Sequence, residues 1–246
     1  MKKVCIITVI VLACATSVFF FGWTQFSVPA GKYGIMLSKS GGYYPQAIMP
    51  GNFTWRWERI VPTNAQILVF DLTPRQVNYA ADGMLPSADR YAKVLNTKDD
   101  FSWAFGIDAL VTLKAEQLVP VVEKNTIQTQ EALESYIDSH IRAILQTIMY
   151  RYISELIDNP YEYQQVKTDY HLLSEKLRGE LVKTIGQDFS VEAVTLTKLT
   201  IPDIHTYKIA EQAYNTYEQQ REMLLAETAA KEAQYAACLL YTSDAA

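Results

Sequence analysis

Nineteen consecutive residues, VCIITVIVLACATSVFFFG from Val4 to Gly22, carry no charge, and no other feature limits so tightly what the chain can become. At a rise of 1.5 Å per residue, a helix of that length measures about 28 Å, close to the hydrocarbon thickness of a bilayer. Lys2 and Lys3 precede the run, and Trp23 and Phe26 follow it. A basic cytoplasmic flank and aromatic residues at the far interface frame a spanning helix. The predicted arrangement is a single-pass anchor over residues 1-25, with the N-terminus cytoplasmic and the body on the far side, periplasmic or extracytoplasmic in a bacterium. Two other accounts compete. A basic start and an apolar run also describe a cleaved secretory signal, with Ala13-Cys14-Ala15 as a small-residue cleavage site. Val11-Leu12-Ala13-Cys14 has the form of a lipoprotein box, although the ATSVFFFGW after Cys14 is more apolar than most acylated mature N-termini. In a bacterium all three place the body beyond the membrane.

The remainder has the composition of a folded protein, since the 246 residues are 49% hydrophobic and 20% charged. With 22 basic against 27 acidic residues and a formal charge of -5, no excess of positive potential exists to track a phosphate backbone, so nucleic acid is excluded as a partner. Cys5 and Cys14 lie in the apolar run and Cys238 near the end. The body therefore has neither a disulfide framework nor a Cys-based metal site, and cysteine usage does not report the compartment.

Short β-type segments follow the apolar run: Tyr33 to Ser38, a turn-rich region with Gly41-Gly42 and Pro50-Gly51, then Gln66 to Leu72. The clearest strand is Ser102 to Lys114. There Trp103, Phe105, Ile107, Ala109, Val111 and Leu113 alternate with smaller or more polar residues at period two, which predicts one face on a core. From Gln130 to Ile157 the period changes. Leu133, Ile137, Ile141, Ile144, Ile148 and Tyr152 recur every three or four residues, as on an amphipathic helix. Asn159-Pro160 interrupts it. Tyr170, Leu173, Leu177, Leu181 and Ile185 mark a second helix, which Gly186 is placed to end in a left-handed cap. Phe189 to Leu199 reads as a strand, with Phe189, Val191 and Ala193 alternating, and Ile201-Pro202 closes the unit.

After Asp203, a suitable N-cap, the chain to Ala237 lacks Gly and Pro and is rich in Ala, Glu, Gln and Lys, which favour a long helix. Ala210, Ala213, Tyr217, Leu224 and Thr228 lie roughly on one side. Polar Gln220 and Glu227 interrupt the seam a coiled coil would need, so a single helix packing beside copies of itself through Ala residues is an open alternative. CLLYTSDAA, residues 238-246, breaks the pattern and reads as a non-native, adaptor-like tail.

This order of elements resembles the band 7 (SPFH) superfamily of stomatins, prohibitins, flotillins and bacterial inner-membrane modulators of AAA proteases. Val28-Pro29-Ala30-Gly31-Lys32-Tyr33-Gly34-Ile35 is similar to the family's opening strand after the membrane, and Met49-Pro50-Gly51-Asn52-Phe53 to its Pro-Gly turn. Ile60-Val61-Pro62 and Phe70-Asp71-Leu72-Thr73-Pro74-Arg75 match the next Pro and the Asp-x-x-x-Arg strand. Thr97-Lys98-Asp99 matches the turn before the long central strand. The Arg-rich turn of the family is reduced to Arg142 and Arg151, and Val77 to Asn96 is longer and more polar than the plain pattern. The resemblance implies an α+β fold: an N-terminal transmembrane helix, a compact domain over 26-202 in which an antiparallel sheet packs with helices, and a long helix over 203-237. It also implies homo-oligomeric rings or cages that enclose a membrane patch or surround a membrane AAA protease, with the β-rich unit against lipid and the long helix as wall.

Residues suited to chemistry are scattered. His140, His171 and His205 lack metal-ligand spacing, and His140 reads as a structural histidine. Asp99 and Asp100, adjacent on an extended chain, point apart and read as a turn rather than a catalytic pair. Trp55 and Trp57, two residues apart, would share a strand face, as core or membrane-surface contact rather than a ligand pocket. Gly31, Gly34, Gly41 and Gly42 lack the spacing of a phosphate loop. No catalytic, cofactor-binding or metal residue is assigned. The expected function is a membrane-anchored oligomeric scaffold. The alternatives are a monomeric secreted or tethered binding module, and a membrane-tethered hydrolase subunit.

Overall fold

The computed structural model describes residues 2–24, 27–49, 51–61, 63–96, 98–159, 163–166 and 169–243. Pro50, Pro62, Thr97 and Pro160, which the sequence marks as turn and break residues, lie outside these, as does Phe26. The apolar run forms helix α1 (Lys2–Gly22). Beyond it, β1 (Tyr33–Ser38) pairs antiparallel with β2 (Gly42–Tyr43) on one side and with β3 (Ala65–Phe70) on the other, in a register running from Tyr33 opposite Phe70 to Ser38 opposite Ala65. A second sheet has the order β4 (Arg75–Met84), β5 (Ser102–Leu113), β6 (Phe189–Thr200). Gln76 and Asn78 both donate to the Asp108 carboxylate, and Thr112 donates to Glu192, as antiparallel neighbours can. The helices are α2 (Ala88–Leu95), α3 (Leu118–Lys124), α4 (Gln130–Asp158), α5 (Tyr170–Ile185) and α6 (Ile204–Ser243). The fold is α+β, as the sequence implies.

The chain divides into two compact units. The first comprises Met1–Tyr79, Ile107–Arg151 and His171–Leu196, and the second Ala80–Gly106, Tyr152–Tyr170 and Thr197–Ala246. In the first, Ile107, Ala109, Val111 and Leu113 are buried on the predicted face of β5, with Leu133, Ile141 and Leu145 of α4 and Leu173, Leu177 and Leu181 of α5. In the second, α2 packs against α6. Tyr91, Phe101 and Tyr207 lie buried there with ring centroids 5.5 to 5.7 Å apart, and the Tyr207 hydroxyl donates to the Pro86 carbonyl at 2.8 Å.

Several expectations need correction. On α4, Leu145 rather than Ile144 is buried, because the buried stripe follows Ile141 by four residues and not three. Tyr170 is exposed at the start of α5. In β6 the buried positions shift by one, so that Val194 lies inside and Ala193 outside. Gly186 is not left-handed, the positive-φ glycines being Gly31, Gly42 and Gly51. It is required by proximity: its N–H donates to the Val182 carbonyl at 2.8 Å, and a Cβ would lie 2.3 Å from that oxygen. The polar segment Val77 to Asn96 is the end of β4 and the helix α2, neither of which its polarity announces. Asp203 caps α6 as expected, accepting from the His205 N–H at 2.9 Å.

Candidate membrane interface

Among the described residues α1 is the one helix long and apolar enough to cross a membrane, and it is exposed from Lys2 to Phe21. A helix ends in carbonyls without intrahelical partners, and in hydrocarbon no water is present to bond them. What meets the C-terminal end of α1 therefore decides whether it can sit at a membrane boundary. The body supplies the donors. The Trp55 indole N–H donates to the Phe19 carbonyl at 3.1 Å, and the Arg56 N–H donates to the Gly22 carbonyl at 2.7 Å. Arg59 Nη1 donates to the carbonyls of Trp23 and Thr24 at 3.0 and 3.2 Å, and its Nη2 to Ser27 Oγ. Thr24 bonds in the other direction, its N–H and its hydroxyl both donating to the Thr54 carbonyl, at 3.0 and 2.7 Å.

A cation at this end also complements the helix dipole. Partial burial lowers the Arg59 pKa from its ordinary value, yet a guanidinium remains charged in any physiological solution. The close approach depends on Gly22, where a Cβ would fall 2.3 Å from Cε2 of Trp55. Rings surround the joint. Phe19 stacks on Phe53 with centroids 5.9 Å apart, Trp23 lies 5.4 Å from Phe53, and Trp55 lies 6.1 Å from Trp57. Phe53, Trp57 and Val61 keep 57%, 65% and 55% of their surface exposed. Large apolar side chains left open beside the end of a helix able to cross a bilayer suit the headgroup layer, where aromatic residues concentrate. Arg56 sits 3.6 Å above the Tyr44 ring, a cation–π contact that brings its charge in without a carboxylate.

A second polar cluster has a structural role. Arg75 bonds Asp138 at 2.8 Å and Glu134 at 2.7 Å, while the Gln130 side chain accepts from the Asp71 N–H at 2.9 Å. These contacts tie the Asp71 to Arg75 segment to α4, and bonding to Asp138 raises the Arg75 pKa further.

Among the described residues no three His, Cys, Asp or Glu side chains gather so as to hold a metal ion. His140 stacks between Tyr136 and Phe189, at 5.4 and 6.1 Å, as a packed ring. Asp100 accepts from the Ser102 N–H at 2.9 Å, the turn bond expected of it, and its bonds to Ser102 lower its pKa. Trp55 and Trp57 do not share a strand face: Trp55 forms an isolated antiparallel bridge with Trp23, and Trp57 opens a single 3-10 turn, Trp57–Arg59. In the sequence Gly22 reads only as the end of the apolar run and Phe53 only as part of the Pro-Gly turn, and Arg59 does not stand out. The available signal was WRWER, aromatic and basic residues interleaved soon after an apolar run.

Comparison with known proteins gives the same architecture a family. An uncharacterized protein of Treponema pallidum (strain Nichols) is 36% identical over 233 residues, which cover 94% of this chain and 78% of that protein. The SPFH domain / Band 7 family matches residues 26–237. These residues span nearly everything beyond α1, so the chain belongs to the SPFH domain / Band 7 family.

Proposed function

We propose that this protein is a single-pass membrane scaffold, with its N-terminus cytoplasmic and its body beyond the membrane, whose copies assemble side by side into a ring or cage. One observation carries the reading: α1 is held at its last turn by Trp55 and Arg56, and just beyond it by Arg59 on the Trp23 and Thr24 carbonyls. Such a joint transmits the orientation of the membrane helix to the body and keeps Phe53 and Trp57 at the lipid surface. Its groups cap, stack and hold, which suits a surface-forming protein rather than an enzyme. Family membership supports a membrane scaffold role. By the resemblance above, the enclosed object is a lipid patch or a membrane AAA protease.

The test is the native mass of the full-length protein extracted in mild detergent. A defined particle of many subunits is the expected result, and co-purification of a membrane protease would identify what it encloses. A monomer that persists across several mild detergents would leave a tethered binding module instead.

A further inference from the structure

A groove of about 750 Å3 runs along one side of α1, lined by Val9, Leu12, Ala13, Thr16, Phe20 and, at its body end, Arg59. We infer that this groove holds one glycerophospholipid, with an acyl chain along α1 and the phosphate on Arg59. The inference rests on α1 spanning the bilayer, as proposed above. Three features select this occupant. The first is length: from Val9 to Phe21 the groove-lining part of α1 covers about 18 Å of helix axis, comparable with the roughly 15 Å hydrocarbon depth of one leaflet. The second is polarity. Thr16 and Ser17 turn their hydroxyls back on the Leu12 and Ala13 carbonyls, at 2.8 and 2.9 Å, so their outward surface is methyl, methylene and Cβ. The wall is then apolar up to Arg59.

The third is charge. Among the described residues Arg59 is the one ionised side chain lining the groove, and it stands at the level of Trp23, where headgroups lie. Its bonds to Trp23, Thr24 and Ser27 take three of its five N–H groups among the described residues. The others are available to a phosphate oxygen, the anion a guanidinium matches best. A second copy of α1 would fill the apolar wall but would bring its own Arg59 beside this one if packed in parallel, so like charge disfavours it.

The experiment is native mass spectrometry of the full chain in detergent, offered either phosphatidylglycerol or a diacylglycerol with the same acyl chains. Wild type should retain phosphatidylglycerol about tenfold better than diacylglycerol, the scale of a charge-assisted hydrogen bond. Arg59→Gln should remove that preference. Because Arg59 also caps α1 and its loss could disturb folding, Ala13→Phe provides a second arm: it fills the groove without touching the joint, and should reduce retention of both lipids. Equal retention of the two lipids by wild type, or unchanged retention by Ala13→Phe, would overturn the site. So would loss of subunits rather than lipid from Ala13→Phe, which would make the groove a helix–helix seam. The subunit mass read in the same spectrum separates failures: a mass lacking α1 would refute the anchor itself.

Discussion

At Gly22 there is no room for one methyl group, because its Cβ would sit inside the Trp55 indole. Gly22→Ala is therefore expected to cost about 1–3 kcal/mol of unfolding free energy, the usual penalty for overpacking. It should also release Trp55 from the Phe19 carbonyl. Denaturant unfolding of the full chain in micelles, followed by tryptophan emission, would read both effects. Gly31→Ala provides a control: that position is left-handed at φ +79 with nothing within 4 Å, so its smaller cost comes from backbone strain alone. This distinction explains what a single sequence conceals. Gly22 and Gly186 are both essential for proximity to an atom, Trp55 Cε2 in one case and the Val182 carbonyl in the other. A glycine placed for proximity and one placed for φ look identical in the sequence. Arg59 was hidden for a related reason, since the carbonyls it caps lie more than thirty residues earlier in the chain.

Among the elements, β5 was legible because its buried face alternates without a break, and α4 because its stripe is long. β4 and α2 were not. In β4 Val77 is buried while the exposed and half-buried positions around it include Gln76, Asn78 and Asp82, and at the ends of α2 the positive φ of Ser87 has no sequence signature, whereas Asn96 is a residue type that ends helices in this conformation. Tyr207 joins α6 to the Pro86 turn beside α2. Tyr207→Phe leaves the Pro86 carbonyl without this bond and should destabilise the protein by about 1 kcal/mol at neutral pH. Burial, with smaller effects from Tyr91 and Glu211, raises the Tyr207 pKa well above its ordinary value. The folded state then holds this proton more tightly than the unfolded state, so the contribution is complete below about pH 10 and declines above it as the unfolded chain ionises first. Denaturation of both proteins at several alkaline pH values should show the wild-type advantage constant to that point and shrinking beyond it. Asp203→Ala, which removes the cap on the His205 N–H, should lower stability by about 1 kcal/mol at neutral pH, read from the same curves.

At the scale of the whole molecule, α6 poses the largest question. Forty residues of helix extend about 60 Å, and from Gln219 to Cys238 every described side chain is exposed. Most helical stability in proteins comes from packing of an apolar face rather than from propensity, and this stretch packs none of its described side chains within one copy. Met223, Leu224 and Leu225 lie 71%, 64% and 60% open on consecutive positions, so together they cover more than one side of the helix. That arrangement fits neighbours on two sides, as the wall of a ring requires, better than the single seam of a paired coiled coil. Replacing Leu224 and Leu225 together by Glu removes apolar contact area and places like charges between copies. The native mass of this variant should fall from the assembled particle to small species. Unfolding of the body, followed through its buried Trp103, should be unchanged, because neither leucine is buried in the monomer. An unchanged native mass would place assembly on the body instead, and would leave the far half of α6 free to hold a different partner.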